Sequence, residues 1–292
     1  MSISRLITLT TLIAVSLTSQ FAWAISHYQE QRYARQLMQT VTTGKALMLK
    51  SGASDFLTID TPSNTPRPRG GVILLHDLGA HPDWPQVIRP LRTHLPDYGW
   101  ESLSLQLPLL SNHPSAHEYK DLFQEAQTRI EAGIRFFKDK GILNIVLIGH
   151  GMGGVMGMNY LARDTSKGNQ VIAFIGIAMY DHDLVDKGLA TDKLIVKLKI
   201  PVLDIVGRLD RRVATKDAAA RHRAAKQASL SNYHQVELSG ADHFFDGLEN
   251  TLIKRIRGWL NKQAPSMELN AETFVPGSKN QNNRPTVNSA NP

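Results

Sequence analysis

From residue 70 to residue 261 the chain alternates short apolar runs with stretches of helical spacing. Gly71–His76 is a continuous apolar run ending in polar residues, the pattern of a strand buried on both faces. Helical spacing follows over Trp84–Leu95, strand-like alternation over Trp100–Leu107, and a long amphipathic helix over Glu118–Lys140. A strand at Asn144–Ile148 leads through a glycine turn into a helix at Val155–Ala162. Strands are predicted at Val171–Met179, Pro201–Val206 and Tyr233–Leu238, with helices at Lys216–Gln227 and Leu248–Asn261. Upstream, a polar helix at Ile25–Gln39 and short strands at Lys45–Lys50 and Asp55–Ile59 precede a turn region rich in Pro and Gly. Strands alternating with helices predict an α/β fold, a mostly parallel sheet covered by helices on both faces. The expected organisation is one domain over 70–262, introduced by the helix and short strands of 25–69.

The two ends depart from this pattern. Arg5 precedes an uncharged, mostly apolar run from Leu6 to Leu17, and Ala22-Trp23-Ala24 places small residues where a signal peptidase reads. Residues 1–24 are therefore expected to be a signal peptide cut after Ala24, exporting the protein to a bacterial periplasm. The apolar core is short for a span and is diluted by Thr and Ser, so no stable membrane anchor is expected. Residues 263–292 are rich in Asn, Pro and Ser and have few large apolar side chains, the composition of a disordered tail.

Composition narrows the chemistry. With 42% hydrophobic and 20% charged residues, the chain is neither fibrous nor wholly disordered. It has no cysteine, which removes disulfides, thiolate nucleophiles and cysteine metal sites. A net charge of +7 favours anionic surfaces in general, and no nucleic-acid motif accompanies it. Arg221, Arg223 and Lys226 have helical spacing and are expected on a solvated face.

The turn Gly149-His150-Gly151-Met152-Gly153-Gly154, between a strand and a helix, fits two chemistries. Gly149, Gly151 and Gly154 satisfy a dinucleotide fingerprint, but several strands precede this one and the nearest candidate acid, Asp181, lies far downstream. The other possibility is a nucleophile elbow, with Gly151 in the serine position. Downstream, one strand delivers Asp210 and the next delivers His243, in the order nucleophile, acid, histidine. Upstream, His76-Asp77-Leu78-Gly79 leaves its strand where an oxyanion loop would.

On these residues the segment from about Gly70 to Leu260 resembles the α/β-hydrolase superfamily, and within it an exported bacterial branch of unknown function. The resemblance implies an α/β-hydrolase-like sheet with a minimal cap, which Tyr180–Ile200 would supply. It also implies Asp210 as the acid, His243 as the base, and the backbone N–H groups of Leu78 and Met152 as oxyanion donors. Gly151 has no side chain to attack with, and Asp77 puts a carboxylate where many relatives have glycine. Ordinary serine-hydrolase activity is therefore not expected, and the residual pocket would bind a small molecule or a protein partner. The alternative is an enzyme working through the His243–Asp210 dyad, with Ser104 and Ser111 the other nucleophile candidates. His243 and Asp210 would equally persist as a structural pair. No cofactor is implied. Metal binding by His76, His150, His243 and Asp210, or by Asp181-His182-Asp183, is the less expected outcome, and Met156 and Met158 are expected in the core.

Overall fold

Eight strands form one sheet in a computed structural model that describes residues 28–52, 54–109, 118–163, 171–181 and 187–263. The strands are β1 (Lys45–Ser51), β2 (Ser54–Thr61), β3 (Gly70–Leu75), β4 (Trp100–Leu105), β5 (Ile145–His150), β6 (Ala173–Ile177), β7 (Val202–Gly207) and β8 (Tyr233–Leu238). The helices are α1 (28–40), α2 (Ile88–His94), α3 (Glu118–Asp139), α4 (Gly151–Arg163), α5 (Thr191–Ile195), α6 (Arg212–Gln227) and α7 (Glu249–Gln263). The spatial order is β1-β2-β4-β3-β5-β6-β7-β8. β2 pairs antiparallel with β1 and with β4, and every pairing from β4 to β8 is parallel. β1 and β2 thus belong to the same sheet, so residues 45–61 are part of the domain rather than a lead-in to it. The expected signal peptide and tail fall outside the described residues, apart from Gln263 at the end of α7. No helix among the described residues is long and apolar enough to cross a membrane.

Successive strand residues divide between two cores, as the period-two geometry of a strand requires. Ile73 and Leu75 of β3, Ile145 and Leu147 of β5, and Phe174 of β6 face one core with Phe123 and Phe137 of α3 and Val155 and Met158 of α4. Val72 and Leu74, Val146 and Ile148, and Ile175 face the other, with Leu91 of α2 and Leu252 and Ile256 of α7. Burial on both faces is why these strands read as unbroken apolar runs. Met156 and Met158 lie in the first core, as expected.

Several local expectations change. Helical spacing over Trp84–Leu95 yields only α2, because Pro85 interrupts the approach and Val87 takes a positive φ of 57° at the cap. α4 begins at Gly151 rather than Val155, and α6 at Arg212 rather than Lys216. The stretch expected as a cap is described over 187–200. There α5 packs against α4 and α6, with Leu194 and Ile195 buried in the first core. Residues 182–186, including His182 and Asp183, lie outside the described residues.

Arg221 is the largest correction. It is fully buried, and its guanidinium donates to both carboxylate oxygens of Asp204 at 2.8 and 3.0 Å. Tyr233 and Gln235 complete the Asp204 shell with bonds of 2.7 and 2.9 Å. Only Arg223 and Lys226 occupy the solvated face. Arg221 stands about 200° around α6 from Arg223 and about 140° from Lys226, so it falls on the opposite, buried side of the helix, where β7 supplies the Asp204 carboxylate.

Candidate functional site

β5 ends at His150 and α4 starts at Gly151 without an intervening loop, so the helix turns back sharply over its own strand. Glycines make that turn possible. A Cβ on Gly149 would lie 2.4 Å from Gly154 Cα, and one on Gly153 would lie 2.3 Å from the His76 carbonyl oxygen. Gly151 itself has φ +52°, the strained position that a nucleophile elbow assigns to its attacking residue. The glycine pattern is thus a packing requirement of the strand–helix turn.

The N-terminus of α4 already holds an anion, and it belongs to the chain. Asp77 follows β3 directly, and its Oδ1 accepts a 2.8 Å bond from the Met152 N–H in the first turn of α4. A dinucleotide pyrophosphate would need that same donor. Tyr180, just beyond the end of β6, donates its hydroxyl to the same oxygen at 3.2 Å. The other oxygen, Oδ2, lies 3.0 Å from His243 Nε2, and His243 Nδ1 lies 2.9 Å from Asp210 Oδ1. Asp210 Oδ1 also accepts the Arg211 N–H at 2.6 Å.

The carboxylate of Asp77 therefore fills the volume where a nucleophile side chain would stand. A Cβ built on Gly151 would fall 2.2 Å from Asp77 Cγ and Oδ1 and 2.6 Å from Oδ2. His76 fixes the backbone that puts it there. Its Nε2 accepts the Leu107 N–H at 2.9 Å, which leaves Nδ1 to donate to the Asp77 carbonyl at 2.8 Å. Burial pushes the His76 ring down to about 3, so it stays neutral in this role.

Electrostatics follow from the arrangement. Burial favours the neutral form of Asp77, but the His243 hydrogen bond and the Met152 N–H outweigh it and hold the carboxyl at about 2. Burial likewise opposes charge on His243, and the hydrogen bonds from it to Asp210 and Asp77 more than reverse this, lifting the imidazole to about 9. At neutral pH the site is a buried carboxylate–imidazolium–carboxylate row. An imidazolium with both nitrogens engaged has no lone pair for general-base work.

The structure brings together Asp77, Gly151, Met152, Asp210 and His243, and adds Tyr180 and His150. His150 Nε2 donates to the His243 carbonyl at 2.9 Å, and the two rings lie 4.9 Å apart. Asp77, His150 and His243 each offer a ligand atom within 4.8 Å of the others. Among the described residues His76 and Asp210 are not part of that group, and both His76 nitrogens bond to backbone instead. The Leu78 side chain packs on the first core, and among the described residues its N–H makes no bond to the Asp77 carboxylate. Ser104 is buried in β4 opposite Leu74, and its Oγ bonds to nothing among the described residues. Ser111 lies outside the described residues. Asp181 accepts the N–H and hydroxyl of Thr191, holding the start of α5.

Solved structures share this architecture. Est1E from Butyrivibrio proteoclasticus is 17% identical, with a TM-score of 0.59, over 75% of this chain and 98% of that one. An alpha-beta serine hydrolase homologue from Coxiella burnetii is 18% identical, with a TM-score of 0.58, over 76% of this chain and 100% of that one. Dienelactone hydrolase from Anabaena variabilis is 18% identical, with a TM-score of 0.57, over 75% and 97%. At such identities the likeness is one of fold, and the fold is that of the α/β hydrolases. No curated protein matches the sequence. Residues 20–123 and 111–262 match a family described as "Protein of unknown function (DUF3530)".

Proposed function

We propose that this chain, which belongs to the DUF3530 family, is an exported α/β-hydrolase-fold protein without ordinary serine-hydrolase activity that uses the residual site for binding. One observation carries the proposal: the Asp77 carboxylate occupies the nucleophile's place, bonded at once to His243 Nε2 and to the Met152 N–H. Gly151 removes the nucleophile, and Asp77 takes both the base's proton-accepting nitrogen and the donor that would stabilise an oxyanion. The site retains its framework and has its reaction coordinate closed off. The same carboxylates give the residual site a negative lining, so a cation or a basic group is the class of ligand that suits it. The described clefts on the surface lie elsewhere. One of about 570 Å³ runs between β8 and α7, lined by Leu203, Gln235 and Trp259 among others, and the second is bordered by Arg67, Arg69 and Arg257.

The alternative, general-base chemistry by the His243–Asp210 dyad, needs Asp77 to leave Nε2 during turnover. Both are tested by incubating the purified protein and His243→Ala with short-chain aryl esters and with a fluorophosphonate that labels activated serines. The expected result is neither turnover nor labelling. Turnover abolished by His243→Ala, with the fold intact, would establish the dyad enzyme, and labelling of any serine would overturn both.

A further inference from the structure

We propose that Asp77, His150 and His243 form a binding site for a divalent transition-metal ion of the zinc class, which deepens the binding role proposed above and rests on it. His150 supplies the independent observation. It is 1% exposed, and its Nδ1 is a buried atom with no hydrogen-bond partner among the described residues. Such an orphan is uncommon and calls for an occupant. Its other nitrogen, Nε2, donates to the His243 carbonyl, which fixes the tautomer and leaves Nδ1 with its lone pair free. A histidine held in this way by a backbone carbonyl is oriented as metal-binding histidines are.

His243 repeats the pattern with a carboxylate. Asp210 Oδ1 accepts from Nδ1, the outer-shell partner that commonly orients a ligating imidazole and strengthens its Nε2. That Nε2 already lies 3.0 Å from Asp77 Oδ2, close to the ~3.3 Å between two donors bound to one tetrahedral ion. One ligand atom from each of the three residues lies within 4.8 Å of the others, so closing the set to a tetrahedral spacing takes a movement of about 1.5 Å at most.

Charge agrees with the donors. The ion pairs of Asp77 and Asp210 among the described residues are to His243, with no Lys or Arg side chain on either. Two carboxylates and two neutral imidazoles balance a divalent cation. The nitrogen and oxygen donors suit Zn²⁺ or Co²⁺ better than Ca²⁺ or Mg²⁺, which prefer all-oxygen shells. Three protein ligands leave one tetrahedral position to water or to a ligand.

The test is to strip the purified full-length protein with a chelator, confirm its fold by circular dichroism, and titrate it with Co²⁺ and Zn²⁺. The expected outcome is one Co²⁺ per chain, visible d–d bands of a tetrahedral nitrogen–oxygen site, and loss of the bands on adding Zn²⁺. His150→Ala should weaken Co²⁺ binding by about 100-fold or more, and Asp210→Asn by about 10–100-fold with the bands retained. A folded wild-type protein that takes up no ion would overturn the proposal, as would His150→Ala binding with unchanged affinity. Ester turnover by the stripped protein would instead overturn the non-hydrolase role and leave the metal measurement to be read separately.

Discussion

Restoring the serine alone should fail, and the structure says by how much. In Gly151→Ser the new Cβ would lie 2.2 Å from the Asp77 carboxyl carbon, so the carboxylate must leave. It then loses the His243 and Met152 bonds, and a buried charge pair broken in this way costs about 3–5 kcal/mol. A residue with a Cβ at φ +52° adds about 1 kcal/mol. Gly151→Ser should therefore destabilise by about 4–6 kcal/mol, a large share of the stability of an ordinary domain. In an Asp77→Gly background the obstacle is gone, and adding Gly151→Ser should cost only the backbone strain of about 1 kcal/mol. The coupling is then about 3 kcal/mol or more, measured by urea unfolding followed through tryptophan fluorescence. Activity should follow the same logic: the double variant hydrolyses a short-chain aryl ester and Gly151→Ser does not. Coupling within about 0.5 kcal/mol of zero, or turnover by Gly151→Ser alone, would refute the claim that Asp77 fills the nucleophile's place.

Other outcomes follow from particular contacts. Arg221→Met strands the buried Asp204 carboxylate and should lower stability by about 3–5 kcal/mol, while Arg221→Met with Asp204→Leu should recover much of the loss in thermal melts. Burial and the nearby Asp60 carboxylate lift Glu101 to about 7 despite its contact with Lys140. The folded chain thus binds a proton there that the unfolded chain has released. Its contribution is present in full below the ordinary value of 4.5 and is lost as pH rises through about 7, so Glu101→Gln should flatten the stability–pH curve across that window. A curve unchanged by the substitution would place the proton elsewhere. Mass spectrometry of protein recovered from a bacterial periplasm should find the mature chain beginning at Ile25, and an intact Met1–Ala24 segment would refute export by cleavage.

How far the sequence was legible depends on the range of the interaction. Local chemistry determines the strands and helices: runs such as Val72–Leu75 and Val146–Ile148 are apolar because both sheet faces are covered, and that requirement is written residue by residue. The order of elbow, acid and histidine was likewise visible, because each follows a strand end and needs only the topology to converge. The expected helix at Trp84–Leu95 was too long because spacing does not register the backbone turn at Val87. Arg221 was misplaced because an arginine was expected in solvent, although its position opposite Arg223 and Lys226 on α6 turns it inward, and only the fold shows Asp204 there to receive it.

The site divides in the same way. From the sequence, Gly151 lacks a nucleophile and Asp77 is an unexpected carboxylate on an oxyanion loop. Only the tertiary structure decided that these two departures are one feature, since the Asp77 side chain takes the space that Gly151 leaves empty. It likewise brought Tyr180 to that carboxylate from the end of β6, and turned His150 inward with one nitrogen unpartnered among the described residues. Residues 77, 151, 180 and 243 meet because parallel strands end on one edge of the sheet. Which atoms then touch is settled by side-chain packing in three dimensions, information that no pattern along the chain contains.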